Sequence, residues 1–314
     1  METNNKHALK RIIEKTGLEN VLEILSEELS LSDLNSLLLE VYKNKASDMS
    51  PVELLNRYSS NRFVQPATAN LIELKQAELD LLKLAESLSY SSILLSPVAP
   101  FGSCSAIATV DQNKVISALR GTEVVADSTN LLALHICEKL KKGELNNNSE
   151  LLRYCSSHRL TRAQSFSKPG LIPHFNVFCM VTSGKDKGSY TFEKEAVVEH
   201  FDMYRSILKK VFHTDITFRF IESKGYKDNE GLIHSLKEYL RETRPNLAIE
   251  NEVEKTDNLY YQGFQFKVII RVDEKEVHIG DGGIVDWSQK LLANKKERML
   301  ISAIGLDRLL EIKQ

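Results

Sequence analysis

Apolar residues recur at Leu25, Leu29, Leu34, Leu37, Leu38 and Val41 among charged ones, which predicts short helices from residue 1 to about 66. Ser50-Pro51-Val52-Glu53 reads as a helix start, with Ser as cap, Pro in the first turn and Glu at the capping-box position. Pro66 breaks this pattern. From Leu71 the spacing Leu71, Leu74, Leu81, Ala85, Leu88 predicts one long amphipathic helix, and Ile93-Leu94-Leu95 predicts a strand that ends at Ser96-Pro97. Val124–Leu140 reads as a helix opened by Asp127-Ser128-Thr129, and His174–Val181 as a strand. Val197, Phe201, Tyr204, Leu208 and Val211 form a second helical stripe, and a polar helix is expected around 229–243. Ile216, Phe218 and Phe220 alternate as in a half-buried strand, and Phe264, Phe266, Val268, Ile270 and Val272 do so most cleanly. Gly280-Asp281-Gly282-Gly283 reads as a turn cluster, followed by a strand at Met299–Ile304, Gly305 and a closing helix to Ile312. Helices and strands mix without regular βαβ alternation. The expected fold is therefore α+β, an antiparallel or mixed sheet flanked by helices, with a helical appendage at 1–70 and a core at 71–314.

Composition narrows the classes without choosing a function. The chain has 314 residues, 42% hydrophobic and 27% charged, with 41 Lys+Arg against 43 Asp+Glu and a formal net charge of −2. Those values exclude a disordered or collagen-like chain, and the balance argues against a main role in coating nucleic acid. Cysteines 104, 137, 155 and 179 form no C-x-x-C pair and are expected to be reduced, buried and hence intracellular. The polar start Met1–Lys6 shows no secretory signal, and no apolar run has the length of a membrane span, so a cytoplasmic protein is expected.

The usual phosphate loop, dinucleotide fingerprint, H-E-x-x-H and G-x-S-x-G signatures are absent. The eight histidines do not fall at metal-ligand spacing, no metal site is expected, and Glu199-His200 reads as a solvated helix face. Three segments stand out by their order. These are helix–strand–Pro97; His158-Arg159-Leu160-Thr161-Arg162-Ala163-Gln164, then Pro169-Gly170 and His174-Phe175-Asn176-Val177-Phe178; and Ala303-Ile304-Gly305-Leu306-Asp307-Arg308-Leu309-Leu310.

This order resembles motifs 1, 2 and 3 of the class II aminoacyl-tRNA synthetases over roughly residues 71–314, most of all the histidyl-tRNA synthetase branch and its paralogues. Asp127-Ser128-Thr129 is similar to that branch's acid-x-Thr amino-acid loop, Tyr260-Tyr261 to its Tyr-Tyr substrate loop, and Gly282-Gly283-Ile284-Val285-Asp286 to its Gly-Gly-Arg-Tyr-Asp turn. The resemblance implies ATP and Mg2+ as cofactors and formation of an aminoacyl-adenylate. Arginines suit that chemistry, because a guanidinium binds phosphate through two parallel hydrogen bonds and keeps its charge. By the resemblance, Arg162 contacts the α-phosphate and the substrate carboxylate, and Arg308 the γ-phosphate. Phe175 stacks on adenine with Arg308 on the other face, Gln164 accepts from the adenine amino group, and His174 grips the bent triphosphate. Asp127, Thr129, Tyr260 and Tyr261 bind the substrate.

Read singly, each residue has another role open to it. Arg162 also suits a strand surface, Arg308 a pair with Asp307 or Glu311, and Phe175 the core. Asp127 and Thr129 suit a helix cap as well as an ammonium, Tyr260 and Tyr261 a sheet, and Asp281 a turn. The chain also departs from the branch. Gln164 stands where motif 2 carries Glu, Ile284 replaces the Arg of the Gly-Gly turn, and only Lys255 can stand in for the Arg before the Tyr pair. About half a dozen residues follow Arg308, so no anticodon-binding domain is expected after it.

Two functions follow from the resemblance. One is an ATP-dependent adenylate-forming ligase that activates a small amino or carboxylic acid and passes it to a carrier protein, another protein or a tRNA end. The other is a non-catalytic paralogue, such as the regulatory subunit of ATP phosphoribosyltransferase, sensing an amino acid or serving as an interaction module. Either implies a homodimer built on motif 1.

Overall fold

The alternation at Phe264, Phe266, Val268 and Ile270 places four buried side chains on one face of a strand, and that strand lies inside an eight-stranded sheet. The structure, a computed structural model, describes residues 2–164, 172–251 and 260–313. Pro169-Gly170 and Lys255 lie outside the described residues. Contacts divide the chain into two units, Met1–Ser60 with Ala118–Thr122, and Asn61–Ser117 with Glu123–Gln314.

The first unit is helical: α1 (Glu2–Thr16), α2 (Val21–Glu23), a π-turn (Ile24–Glu28), α3 (Leu31–Ser47) and α4 (Pro51–Ser60). The Ser50 hydroxyl accepts from Glu53 N at 3.2 Å, and Ser30 caps α3 by accepting from Asp33 N at 3.1 Å. No residue from 7 to 60 is buried.

The second unit carries α5 (Leu71–Ser87), β1 (Ser91–Ser92), β2 (Val98–Pro100), α6 (Ser103–Ala108), β3 (Ser117–Ala118, shared with the first unit), β4 (Thr122–Val124, likewise), α7 (Ser128–Lys141), β5 (Leu152–Thr161) and β6 (His174–Lys185). Then come α8 (Thr191–Lys210), β7 (Thr217–Glu222), α9 (Asn229–Thr243), β8 (Ala248–Asn251), β9 (Phe264–Val272), β10 (Lys275–Val285), α10 (Trp287–Leu291), β11 (Glu297–Gly305) and α11 (Leu306–Lys313). The sheet order is β1-β5-β6-β11-β10-β9-β7-β8. Its pairs are antiparallel except β1 with β5 and β7 with β8, so the sheet is mixed.

Side chains alternate across this sheet to build a layer on each face. Phe178 and Met180 of β6 join α5, α8, α9 and α11 in the larger cluster, whereas Cys179 and Val181 join α6, α7 and α10 in the other. Phe201 of α8 stacks on Phe218 at 3.7 Å between centroids and meets Phe266 edge-on at 4.9 Å. The four cysteines are buried and unpaired. No helix among the described residues is long and apolar enough to cross a membrane.

Three expectations change here. The strand after α5 is Ser91–Ser92, and Ile93–Leu95 is not strand; Leu94 is 94% exposed. Gly280–Gly283 is no turn but the middle of β10, paired on both edges. Glycine is required there by close approach. A Cβ on Gly282 would lie 2.4 Å from Phe266 Cζ and 2.5 Å from Ser302 Cβ. His200, read as solvated, is fully buried on the sheet-facing side of α8. Its Nδ1 lies 2.7 Å from Ser302 Oγ and its Nε2 3.0 Å from Thr182 Oγ1, while the Tyr204 hydroxyl donates to Ser302 at 2.6 Å. Burial holds its pKa down at about 3, so it is a neutral core residue.

Candidate functional site

Arg162 follows directly on β5. Its backbone is fixed by Arg162 N donating to Pro173 O at 2.8 Å, and its Nε donates to Ala126 O at 3.2 Å. The guanidinium lies 5.4 Å from the Phe175 ring on the returning strand β6. Two cavities meet at this side chain. The first, about 300 Å3, is lined by Phe175, Val177, Gly280, Ile304 and Arg308. The second, about 270 Å3, is lined by Lys114, Asp127, Gln164, Tyr260 and Tyr261. Arg162 and Asp281 line both.

In the first cavity Arg308 is exposed at the start of α11, and its side chain makes no hydrogen bond or ion pair with the described residues. Its neighbour Asp307 is engaged elsewhere: Oδ2 accepts from Asn176 N at 2.6 Å, and Oδ1 lies 3.6 Å from Arg159 Nη1. Asp307 Oδ1 is buried without a hydrogen bond. Burial lowers the pKa of His278, which also lines this cavity.

The second cavity is built on the N-terminus of α7. Asp127 Oδ1 accepts from Thr129 N at 2.9 Å and from Thr129 Oγ1 at 2.6 Å, and Oδ2 accepts from the Tyr260 hydroxyl. Asp127 is thus a helix cap and a cavity wall at once, while Thr129 is buried behind it. The Tyr261 hydroxyl donates to Asp281 Oδ1 at 2.6 Å. Desolvation, reinforced by the adjacent carboxylates, raises both tyrosine pKa values well above the ordinary phenol, so both stay neutral donors. Cys104 lines this cavity too, and burial pushes its thiol up to about 12.

The structure therefore brings Arg162, Phe175 and Arg308 together in one cavity, and Asp127, Tyr260 and Tyr261 with Arg162 in the other. Three residues stand elsewhere than expected, Thr129 being buried behind Asp127 and lining neither cavity. Gln164 lines the second cavity rather than the first. His174 lines neither: its Nδ1 accepts from Arg159 Nε at 3.0 Å and its Nε2 donates to Gln65 O at 2.6 Å. Asp281 is the residue that sequence reasoning passed over. The alternation of small residues around it, read as a strand, was the signal that would have placed it on the sheet beside Ala303.

A mixed sheet whose strands β5 and β6 pair antiparallel, and whose closing strand β11 leads into α11, matches the catalytic-core fold of the class II aminoacyl-tRNA synthetases. No sequence-family profile matches the chain, and no curated protein sequence matches it. Solved structures do. Histidyl-tRNA synthetase of S. aureus, crystallised in its apo form, superposes with a TM-score of 0.57 at 13% identity, over 76% of this chain and 64% of that one. A protein named as a threonyl-tRNA synthetase of Aeropyrum pernix gives 0.60 at 14%, over 76% and 58%. A protein of Bacillus halodurans C described as an ATP phosphoribosyltransferase regulatory subunit/histidyl-tRNA synthetase gives 0.60 at 12%, over 81% and 83%. The chain spans less than two thirds of the length of the first two. At these identities the likeness is one of fold.

Proposed function

We propose that the chain is an ATP-dependent, adenylate-forming ligase acting on a small amino acid. One observation carries this reading: a cavity with Phe175 and Arg308 and a cavity with Asp127, Tyr260 and Tyr261 share Arg162. In this reading adenine lies against Phe175, the phosphates run between Arg162 and Arg308, and the amino acid's ammonium is accepted by Asp127. Its carboxylate then meets the α-phosphate at Arg162. A carboxylate oxygen attacks the α-phosphorus, the bond to the β-phosphate oxygen breaks, and pyrophosphate leaves with the electron pair. Two anions approach one another in that step, and a preorganised guanidinium between them offsets their repulsion. Neutral Tyr260 and Tyr261 hold the two carboxylates in place without adding charge.

Magnesium fits as an ion brought by the nucleotide. No group of three or more His, Cys, Asp or Glu among the described residues forms a cation cage, and Asp307 Oδ1, which lies 3.6 Å from Arg159 Nη1, is a buried oxygen without a hydrogen bond. Asp307 and Glu311 would hold it, and it would neutralise phosphate charge. The acceptor of the activated acid is a carrier protein, another protein or a tRNA end. A homodimer through α5 and the segment after it is part of the proposal, since Leu71, Ile72 and Leu94 are exposed.

A second reading, an amino-acid-sensing regulatory subunit, draws on Gln164. That side chain lies in the amino-acid cavity and leaves the adenine amino group without the expected acceptor. Thermal unfolding with ATP-Mg and with each amino acid separates the two. A ligand at about 100 times its Kd adds about 2.7 kcal/mol. Stabilisation by both ligands supports the ligase. Stabilisation by an amino acid alone supports the sensor, and neither effect refutes both.

A further inference from the structure

Residues 61–69 precede the helix with which the resemblance begins, and no motif covers them. In the structure they are tied to the chain just after β5 and to the first residue of β6. Arg62 Nη2 donates to Ala163 O at 2.5 Å and Nη1 to Gln164 O at 3.2 Å, with its guanidinium 4.2 Å from the Phe63 ring. Three residues on, Gln65 O accepts from His174 Nε2 at 2.6 Å. Ala67, Thr68 and Ala69 then line the same cavity as Phe175 and Arg308. Asn70 ends the segment by capping α5, its side chain accepting from Ile72 N at 3.0 Å.

We propose that residues 61–69 are a wall of the nucleotide site and that Arg62 is a positioning residue for Arg162. The proposal rests on the reading of that cavity as an ATP site. Among the described residues the Arg162 side chain has a single hydrogen bond, to Ala126 O, and its aim follows from its backbone. The two carbonyls that follow it are the ones Arg62 grips. A guanidinium bound to two neutral carbonyls makes charge-assisted hydrogen bonds and keeps its full positive charge. Arg62 therefore fixes the peptide units after Arg162 and adds to the positive potential that phosphates meet. The same segment, through Gln65, holds His174 beside Phe175, and through Ala67 and Ala69 it shapes the cavity itself.

The test is calorimetric titration of the full chain with ATP-Mg and, separately, with adenosine, which has no phosphate. Wild type is compared with Arg62→Ala, Arg62→Lys and Ala69→Leu. Arg62→Ala is expected to weaken ATP about tenfold and leave adenosine unchanged, as a change acting through Arg162 must. Arg62→Lys, which keeps the charge but not the fork, falls between. Ala69→Leu fills cavity space without touching Arg62 and weakens both ligands. If wild type binds ATP and Arg62→Ala binds it equally well, or loses ATP and adenosine alike, the positioning role is overturned. Unchanged affinity in Ala69→Leu overturns the wall. Both results leave the ATP site standing, whereas a wild type that binds neither ligand removes that site and this proposal with it.

Discussion

Replacing Arg162 by alanine has consequences that the paired cavities make specific. Within the protein the side chain forfeits one hydrogen bond, to Ala126 O, together with its placement 5.4 Å from the Phe175 ring. The stability cost is on the order of 1 kcal/mol. Towards ligands the loss is larger. A hydrogen bond to a charged group contributes about 1.5–3 kcal/mol, or roughly 10- to 150-fold in affinity. Because Arg162 lines both cavities, that penalty applies to ATP and to the amino acid alike. Arg308→Ala is the matched control. It lines the first cavity alone, so ATP binding falls by a similar factor while amino-acid binding is unchanged. Titration calorimetry of each variant with ATP-Mg and with the amino acid that stabilises wild type reads both effects. An Arg162→Ala protein that loses ATP and keeps its amino-acid affinity would refute the shared role.

Four further outcomes follow from the geometry. Asp127→Asn keeps the cap on α7 and loses the charge, so amino-acid affinity falls with little change in thermal midpoint, whereas Asp127→Ala also loses about 1 kcal/mol of stability in urea unfolding. Gly282→Ala forces a methyl against Phe266 and Ser302, and costs about 1–3 kcal/mol by the same measurement. His200 titrates near 6.5 when unfolded and at about 3 when folded, so the unfolded chain binds the extra proton between those values. Stability therefore falls by about 1.4 kcal/mol per pH unit as pH drops below about 6.5, and His200→Gln, followed by urea unfolding against pH, shows a shallower fall. Leu94→Glu changes an exposed side chain, so the fold survives; the proposed homodimer predicts that wild type sediments as a dimer and the variant as a monomer, and a monomeric wild type would refute it.

How much of this was legible in the sequence depended on how local the signal was. β9 and α5 could be read because period-2 and period-3.6 patterns are set by which face each element buries. Arg162, Phe175 and Arg308 could be placed because each adjoins an element with a clear pattern. Asp281 could not, since glycine-rich sequence signals a turn as readily as a strand pressed against its neighbours. His200 was misread because a Glu-His pair on a helix says nothing of which face meets the sheet. Arg153 in fact takes Glu199 outward, at 2.6 and 2.8 Å, while His200 turns in. Residues 61–69 have no periodicity at all, and their ties to Ala163, Gln164 and His174 span about a hundred positions of chain. Ile93–Leu95 misled in the opposite sense, for an apolar run suggests burial and Leu94 is nearly fully exposed.

In the proposed mechanism one arginine joins a nucleotide to an acid. Exchange of labelled pyrophosphate into ATP, measured with each amino acid in turn, tests it most directly. Label is expected in ATP with one amino acid or a few chemically related ones, and that signal is lost in Arg162→Ala. Absence of exchange with every acid, in a protein that also fails to bind ATP, would contradict it.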